Sequence, residues 1–327
     1  MANSKRKFAI TFIAVVLFVL AACLIDNANF RRTPIPSLNS HTFENGLWLR
    51  YHWYAGKHVH ERDWQAMLQR LRDFKIRYAY FHVLTTRSDG SLKMHKLENA
   101  LKITSRVHTN CPGTKAIAWV YVAAPPQQDG SDLNNPAIRK TLVDQALWLV
   151  NDCGFDGVQW DYEFCTNDNA GLLKLLEETR SAIPKEKMIS VDTPMYYPGI
   201  LWGWSDDYFK KIAAKCDQIC VMSYDSYLYS ARAYSWLVSE QVKHVSNDVF
   251  VSNRNCKIVF GLPTYEDKTL AHNHTIESLN NALRGFANGY ENGGAKHSQI
   301  EGVALFADYT TDEREWANYS RVLLTAQ

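Results

Sequence analysis

The feature that most constrains this chain is an alternation repeated eight times. Short runs rich in β-branched and aromatic residues stand at about 47–54 (LWLRYHWY), 77–84 (RYAYFHVL), 115–123 (KAIAWVYVA) and 155–163 (FDGVQWDYE). The series continues at 188–195, 217–225, 257–264 and 302–308. Between them lie segments of helical periodicity, among them 61–74, 136–152, 170–183, 205–215 and 312–324. Pro136 suits a helix start, Ser205 caps a turn carrying two aspartates, and Pro184 stops the helix before it. Strand starts recur roughly every 30 to 45 residues, the length of a βα unit. Eight such units predict a closed (β/α)8 TIM barrel over 46–327 rather than an open doubly wound sheet. No G-x-G-x-x-G follows the first strand, so a dinucleotide fold finds no support.

The barrel is preceded by a different kind of sequence. Lys5, Arg6 and Lys7 are followed by an uncharged, mostly apolar run over 8–25. This pattern predicts a signal peptide or membrane anchor over 1–25, with the basic cluster held inside and the bulk of the chain outside. Leu20-Ala21-Ala22-Cys23 resembles a bacterial lipobox, so a lipid on Cys23 and an uncleaved anchor both stay open. Residues 26–45, polar and carrying Pro34 and Pro36, read as a linker. Export permits disulfides. Cys111 with Cys153 and Cys216 with Cys256 precede neighbouring strands, and each pair is a candidate bridge beside the reading of buried free thiols. With 36 basic and 34 acidic residues and no basic stripe, the chain is not built for nucleic acid.

Active sites of such barrels form at the C-terminal ends of the strands. Polar residues there are Tyr54, His82, Asp161, Glu163, Asp192, Tyr224, Asp225, Tyr265 and Asp308. The fourth strand stands out. Side chains at i, i+2 and i+4 share a face, so Gln159, Asp161 and Glu163 point together while Val158, Trp160 and Tyr162 point away. Two carboxylates on the inner face of a barrel are costly unless paired or used. An acid and a partner separated by environment is the functional reading, with Glu163 protonated nearest the mouth and Asp161 ionised below it.

Asp156-Gly157-Val158-Gln159-Trp160-Asp161-Tyr162-Glu163 resembles the D-G-x-D-x-D-x-E run of glycoside hydrolase family 18, the chitinases and endo-β-N-acetylglucosaminidases. Met222-Ser223-Tyr224-Asp225 is similar to that family's M-x-Y-D, Gly261-Leu262-Pro263-Thr264-Tyr265 to its G-L-P-x-Y, and Gly302-Val303-Ala304-Leu305-Phe306 to its last strand. The resemblance implies a retaining hydrolase in which the substrate's N-acetyl oxygen attacks the anomeric carbon, with no metal or cofactor. By matching position, Glu163 would be general acid and base, Asp161 would stabilise the oxazolinium, and Tyr224 would bind the acetamido carbonyl. Asp156, Gln159, Met222, Asp225, Tyr54, Tyr265 and Phe306 complete the expected substrate-binding set.

The pattern departs in four places. Gln159 replaces a usual Asp and is expected to donate to Asp161, Phe306 replaces a usual Trp, and Trp119-Val120-Tyr121 stands where S-x-G-G is usual. The stretch from Tyr265 to Gly302 is too short for an inserted α+β domain, which suits an open cleft and endo-cleavage. The expected partners are an oligosaccharide or glycan and a membrane. A barrel that binds N-acetylated glycans without cleaving them is the alternative. His58-Val59-His60 offers two imidazoles for a metal but no third ligand nearby, and Trp202-Gly203-Trp204 reads equally as a sugar platform or a packed loop.

Overall fold

The computed structural model describes residues 2–58, 60–197 and 203–324. Eight strands, β1 (Asn45–Leu49), β2 (Ile76–Thr85), β3 (Lys115–Ala123), β4 (Gly157–Glu163), β5 (Met188–Thr193), β6 (Gln218–Met222), β7 (Lys257–Pro263) and β8 (Ile300–Phe306), close into a barrel in chain order. Every neighbouring pair is parallel, including β1 with β8. The surrounding helices are α2 (Glu61–Asp73), α3 (Leu97–Asn110), α4 (Pro136–Asn151), α5 (Ala170–Ala182), α6 (Asp206–Ala213), α7 (Ala231–Ser252), α8 (Leu279–Asn292) and α9 (Glu313–Leu323). This is the (β/α)8 barrel the alternation predicts, and it carries no inserted α+β domain.

Local chemistry accounts for where the helices begin. Asn135 accepts from the Ala137 amide ahead of Pro136, and Ser205 accepts from Tyr208 to open α6. Asp312 and Glu315 exchange side-chain and backbone bonds in a capping box on α9. Such caps contribute about 1 kcal/mol each.

The strands read as near-continuous apolar runs because both faces are covered. Val158, Trp160 and Tyr162 of β4 join the layer between strands and helices. A second cluster, with Trp48, Tyr80, Ile117, Trp119, Met188, Cys220 and Val259, plugs the barrel lumen. Large rings need small neighbours there. A Cβ at Gly46 would lie 2.7 Å from the Tyr80 ring, and one at Gly261 would lie 3.0 Å from Trp48.

Two sequence expectations change. Residues 32–44 are not a free spacer: Ile35, Leu38 and Phe43 are buried, and the Leu38 amide donates to Val322 at the end of α9. Apolar side chains at 35, 38 and 43 gain more by covering the barrel than by remaining in water. The cysteines are all free among the described residues. Cys216 and Cys256 do meet, but their sulfurs are 3.8 Å apart, well beyond the roughly 2.05 Å of a disulfide. Cys111 instead directs its thiol to the Leu68 carbonyl.

Ahead of this strap lies α1 (Ala2–Arg31), long and apolar enough over Thr11–Arg31 to cross a membrane by length and composition.

Candidate active site

β4 delivers its three polar side chains to the lumen at successive depths. Gln159 is deepest and fully buried, Asp161 is buried above it, and Glu163 is partly open at the mouth. Parallel pairing sets their neighbours, placing Trp119 beside Gln159, Tyr121 beside Asp161, and Asp192 of β5 beside Asp161.

Gln159 does not donate to Asp161. Its amide nitrogen donates to Ser190 Oγ (3.2 Å) and Cys220 Sγ (3.2 Å), and its oxygen accepts from the Trp48 indole (2.8 Å). Trp119 takes the place expected of it, giving its indole N–H to Asp161 Oδ2 at 2.8 Å. The other Asp161 oxygen has no partner, nor do Asp192 Oδ1 and His82 Nε2. His82 stacks on Trp119 with centroids 4.2 Å apart, and burial pushes its pKa down to about 4, so the ring is neutral.

Burial raises the pKa of Glu163; a hydrogen bond from Tyr121 opposes the rise and the charge of Asp225 adds to it. That is the direction a general acid needs. Burial and the neighbouring Glu163 also lift Asp161 well above the usual range, against the Trp119 bond. That direction runs against the anion expected at position 161, because a carboxyl this deep has a single donor to offset its burial. Asp192 shifts the same way, through burial and the charges of Asp161 and Glu163.

The opposite wall is aromatic. The Phe306 ring packs at 5.4 Å on Tyr224 with 27° between planes, and meets Tyr265, Trp48 and Trp119 edge-on at 5.7, 5.9 and 6.0 Å. Tyr265 donates to Asp225 Oδ1 at 2.6 Å. Met222, partly buried at the end of β6, stands in register with Gly261 of β7.

Asp225 itself is held in a left-handed backbone conformation, φ 58°. For a non-glycine residue this costs on the order of 1 kcal/mol and requires outside support. Glu277 supplies it: its carboxylate accepts from the amides of Asp225 (2.7 Å) and Ser226 (3.1 Å) and from Ser226 Oγ (2.9 Å). His272 lies against the same carboxylate at 3.2 Å and stacks under Tyr265 at 4.0 Å. Burial alone would depress His272, but Glu277 and Asp225 outweigh it and raise its pKa. One ligand atom from each of Asp225, His272 and Glu277 falls within 4.8 Å of the others, but Glu277 already holds three donors in this network.

Several expected residues are not brought together. Asp156 lies just before β4, at the opposite end of the barrel, where its carboxylate bonds His108 and the Ala116 amide. Its place at the start of the motif reflects a strand-start anchor, not a sugar contact. Tyr54 falls beyond the end of β1, fully buried, with its hydroxyl bonded to Met94 O and Lys96 N. Gln159 is sealed beneath Asp161 and touches no open space. Asp308 caps the Arg50 amide and faces the Trp53 indole. Trp204 is a packed residue whose indole bonds Cys165 O; Trp202 and Val59 lie outside the described residues. Sequence reading passed over Glu277 and the role of Trp119. The latter was legible in the alternation Ala118-Trp119-Val120-Tyr121-Val122, which sends both rings inward.

A family model described as glycosyl hydrolases family 18 matches residues 53–322. No curated protein matches the chain in sequence. Among solved structures, the spore cortex-lytic enzyme SleL of Bacillus cereus is similar at TM-score 0.59 and 12% identity, over 88% of this chain and 76% of that one. A chitinase from Bacteroides thetaiotaomicron aligns at TM-score 0.56 and 13% identity, over 86% and 96%. The Group IV chitinase of Ostrinia furnacalis gives TM-score 0.56 and 13% identity, over 85% and 98%. At these identities the likeness is one of fold.

Proposed function

The chain belongs to glycoside hydrolase family 18, and from that premise we propose that it is a retaining, endo-acting hydrolase of β-linked N-acetylglucosamine-containing glycans. The observation that carries the reading is the stack on β4: Glu163 at the mouth with a raised pKa, and Asp161 one step deeper with an oxygen left unpartnered.

Protonated Glu163 donates its proton to the glycosidic oxygen as the bond to the anomeric carbon breaks. The acetamido oxygen of the same sugar closes on that carbon from the opposite face and forms an oxazolinium. Asp161 accepts the acetamido N–H on its free oxygen. Asp161 acts here as the carboxylate, and the positive charge of the oxazolinium favours that form against the shift that burial imposes. Tyr224 directs its hydroxyl at the acetamido carbonyl, and Phe306 stacks beneath the sugar with Tyr265 and Asp225 alongside. Glu163, now a carboxylate, takes a proton from water, which opens the ring and restores the original configuration. The cleft has no added domain to wall it, which suits cleavage within a chain.

We place the enzyme outside the cytoplasm, tethered through residues 1–25. Reporter release from N-acetylglucosamine oligomers by the detergent-solubilised full chain, beside Glu163→Gln, tests the chemistry. Loss of about 10²–10⁴-fold in the variant, with an unchanged melting temperature, is expected of a general acid. Equal release by both overturns Glu163 as the acid, and none by a folded parent overturns the reading and leaves a glycan-binding barrel.

A further inference from the structure

α1 does not leave the barrel at random. Thr33 O accepts from Arg284, in the second turn of α8 (2.7 Å). Phe30 lies between the guanidinium groups of Arg232 and Arg284, at 4.7 and 4.9 Å. Asp26 forms an ion pair with Arg232 at 2.8 Å. Asn27 grips the loop that precedes α7, donating to Tyr229 O (3.1 Å) and accepting from the Ala231 amide (2.8 Å). From Thr33 to Asn27 the contacts climb from the body of α8 to the β6–α7 loop. Helices of this barrel run from the mouth to the base, so this climb ends at the mouth. The helix continuing beyond Asn27 therefore leaves from the catalytic face.

The apolar run that follows, 8–25, spans about 27 Å at 1.5 Å per residue, one hydrocarbon thickness. Its boundary falls at Ile25, one residue from the clamp. Beside that clamp the rim exposes Tyr227, Tyr229 and Leu270, at 54, 56 and 81%. They form one surface, because the Tyr229 hydroxyl bonds Leu270 O and the Tyr227 amide bonds Ala271 O. Exposed aromatic and aliphatic groups at the end of an apolar helix have the composition of a membrane–water interface.

We propose that the Tyr227–Tyr229–Leu270 rim rests on the lipid bilayer, so that the catalytic mouth opens at the membrane surface. The β6–α7 and β7–α8 loops that make this rim also carry Asp225 and Tyr265. The substrate class narrows accordingly to N-acetylated glycans held at the outer leaflet. This rests on the tethered glycosidase reading for its substrate and on the apolar helix for its orientation.

The test places a fluorescent NBD label at Leu270→Cys or, at the opposite end of the barrel, at exposed Gly113→Cys. Both are made in the full chain with Cys23→Ser, because the six other cysteines are buried. The chains are reconstituted into phosphatidylethanolamine–phosphatidylglycerol vesicles containing a lipid spin-labelled in its headgroup. We expect quenching several-fold stronger at 270 than at 113. Asp26→Ala with Asn27→Ala should erase the difference while the chain still floats with the vesicles. Equal quenching at both positions, stronger quenching at 113, or failure of the parent to float overturns the proposal. None of these readouts depends on sugar cleavage, so they fail or succeed independently of the catalytic reading.

Discussion

Two levels of the barrel lumen, two residues apart on β4, treat polar atoms in opposite ways. At the level of Gln159 every side-chain nitrogen and oxygen is matched. Trp48 donates to Gln159, Gln159 to Ser190, Ser190 and Tyr80 to Gln218, and Gln218 to Glu301. At the level of Asp161 the donors run out: Asp161 Oδ1, Asp192 Oδ1 and His82 Nε2 have no partner. An unmatched buried polar atom costs about 1–3 kcal/mol. The level whose polar atoms find no protein partner is the one able to accept hydrogen bonds from a substrate, as the proposed role of Asp161 requires. The completed level is fixed by its own bonds, and the incomplete one is where the proposed chemistry falls.

The sharpest way to break this contrast is to remove the single donor of the upper level. Trp119→Phe keeps a ring beside His82 but withdraws the N–H from Asp161. Turnover of N-acetylglucosamine oligomers should fall roughly 10- to 100-fold, the worth of a hydrogen bond to a charged group, with a smaller change in KM. An unchanged kcat would show that Asp161 needs no orientation. Gln159→Asp attacks the lower level instead. It deletes the donor to Ser190 and adds a charge below Asp161, so stability should drop by about 1–3 kcal/mol, read as urea midpoint. A variant as stable as the parent would mean the matched level contributes nothing.

Glu277→Gln gives the smallest effect and sharpens the picture at the rim. Glu277 raises the His272 pKa, so its neutralisation lets the imidazole lose its proton at lower pH. If cationic His272 supports Asp225 and Tyr265, the alkaline limb of kcat/KM moves to lower pH, while the acid limb stays. Superimposable profiles would reduce the pair to scaffolding.

The barrel was legible because the period of the pattern is long and repeated: eight strand runs and the helix signals at Pro136, Pro184 and Ser205 agree with one another. Glu163 and Asp161 were legible because parity on a strand is strict. What escaped was contact made at a distance. Asp156 and Tyr54 belong to the right segments, yet Asp156 precedes β4 at the base, and Tyr54, in the loop after β1, is buried with its hydroxyl turned to Met94 O and Lys96 N. Nothing in the loop around His272 announces Glu277, since its role arises from a left-handed turn 52 residues upstream. The docking of residues 32–44 was hidden by the same locality: Pro34 and Pro36 suggested a spacer, whereas Leu38 finds its partner at Val322.

That strap has a consequence for how the barrel stays shut. A closed sheet is like a row of staves, and the stave joint between first and last is the one the chain does not connect directly. Here it is short: only Gly46 with Ala304 and Leu47 with Leu305 are paired between β1 and β8. The Glu44 amide bonding Glu301 O, and Asn45 Oδ1 receiving the Val303 amide, extend the joint below it. Leu38, tied to the last helix, then acts as a buckle across both ends of the polypeptide. A soluble fragment begun at residue 46 would lose the buckle together with Asn45, the first residue of β1, so the folded unit of this enzyme starts ahead of its first strand.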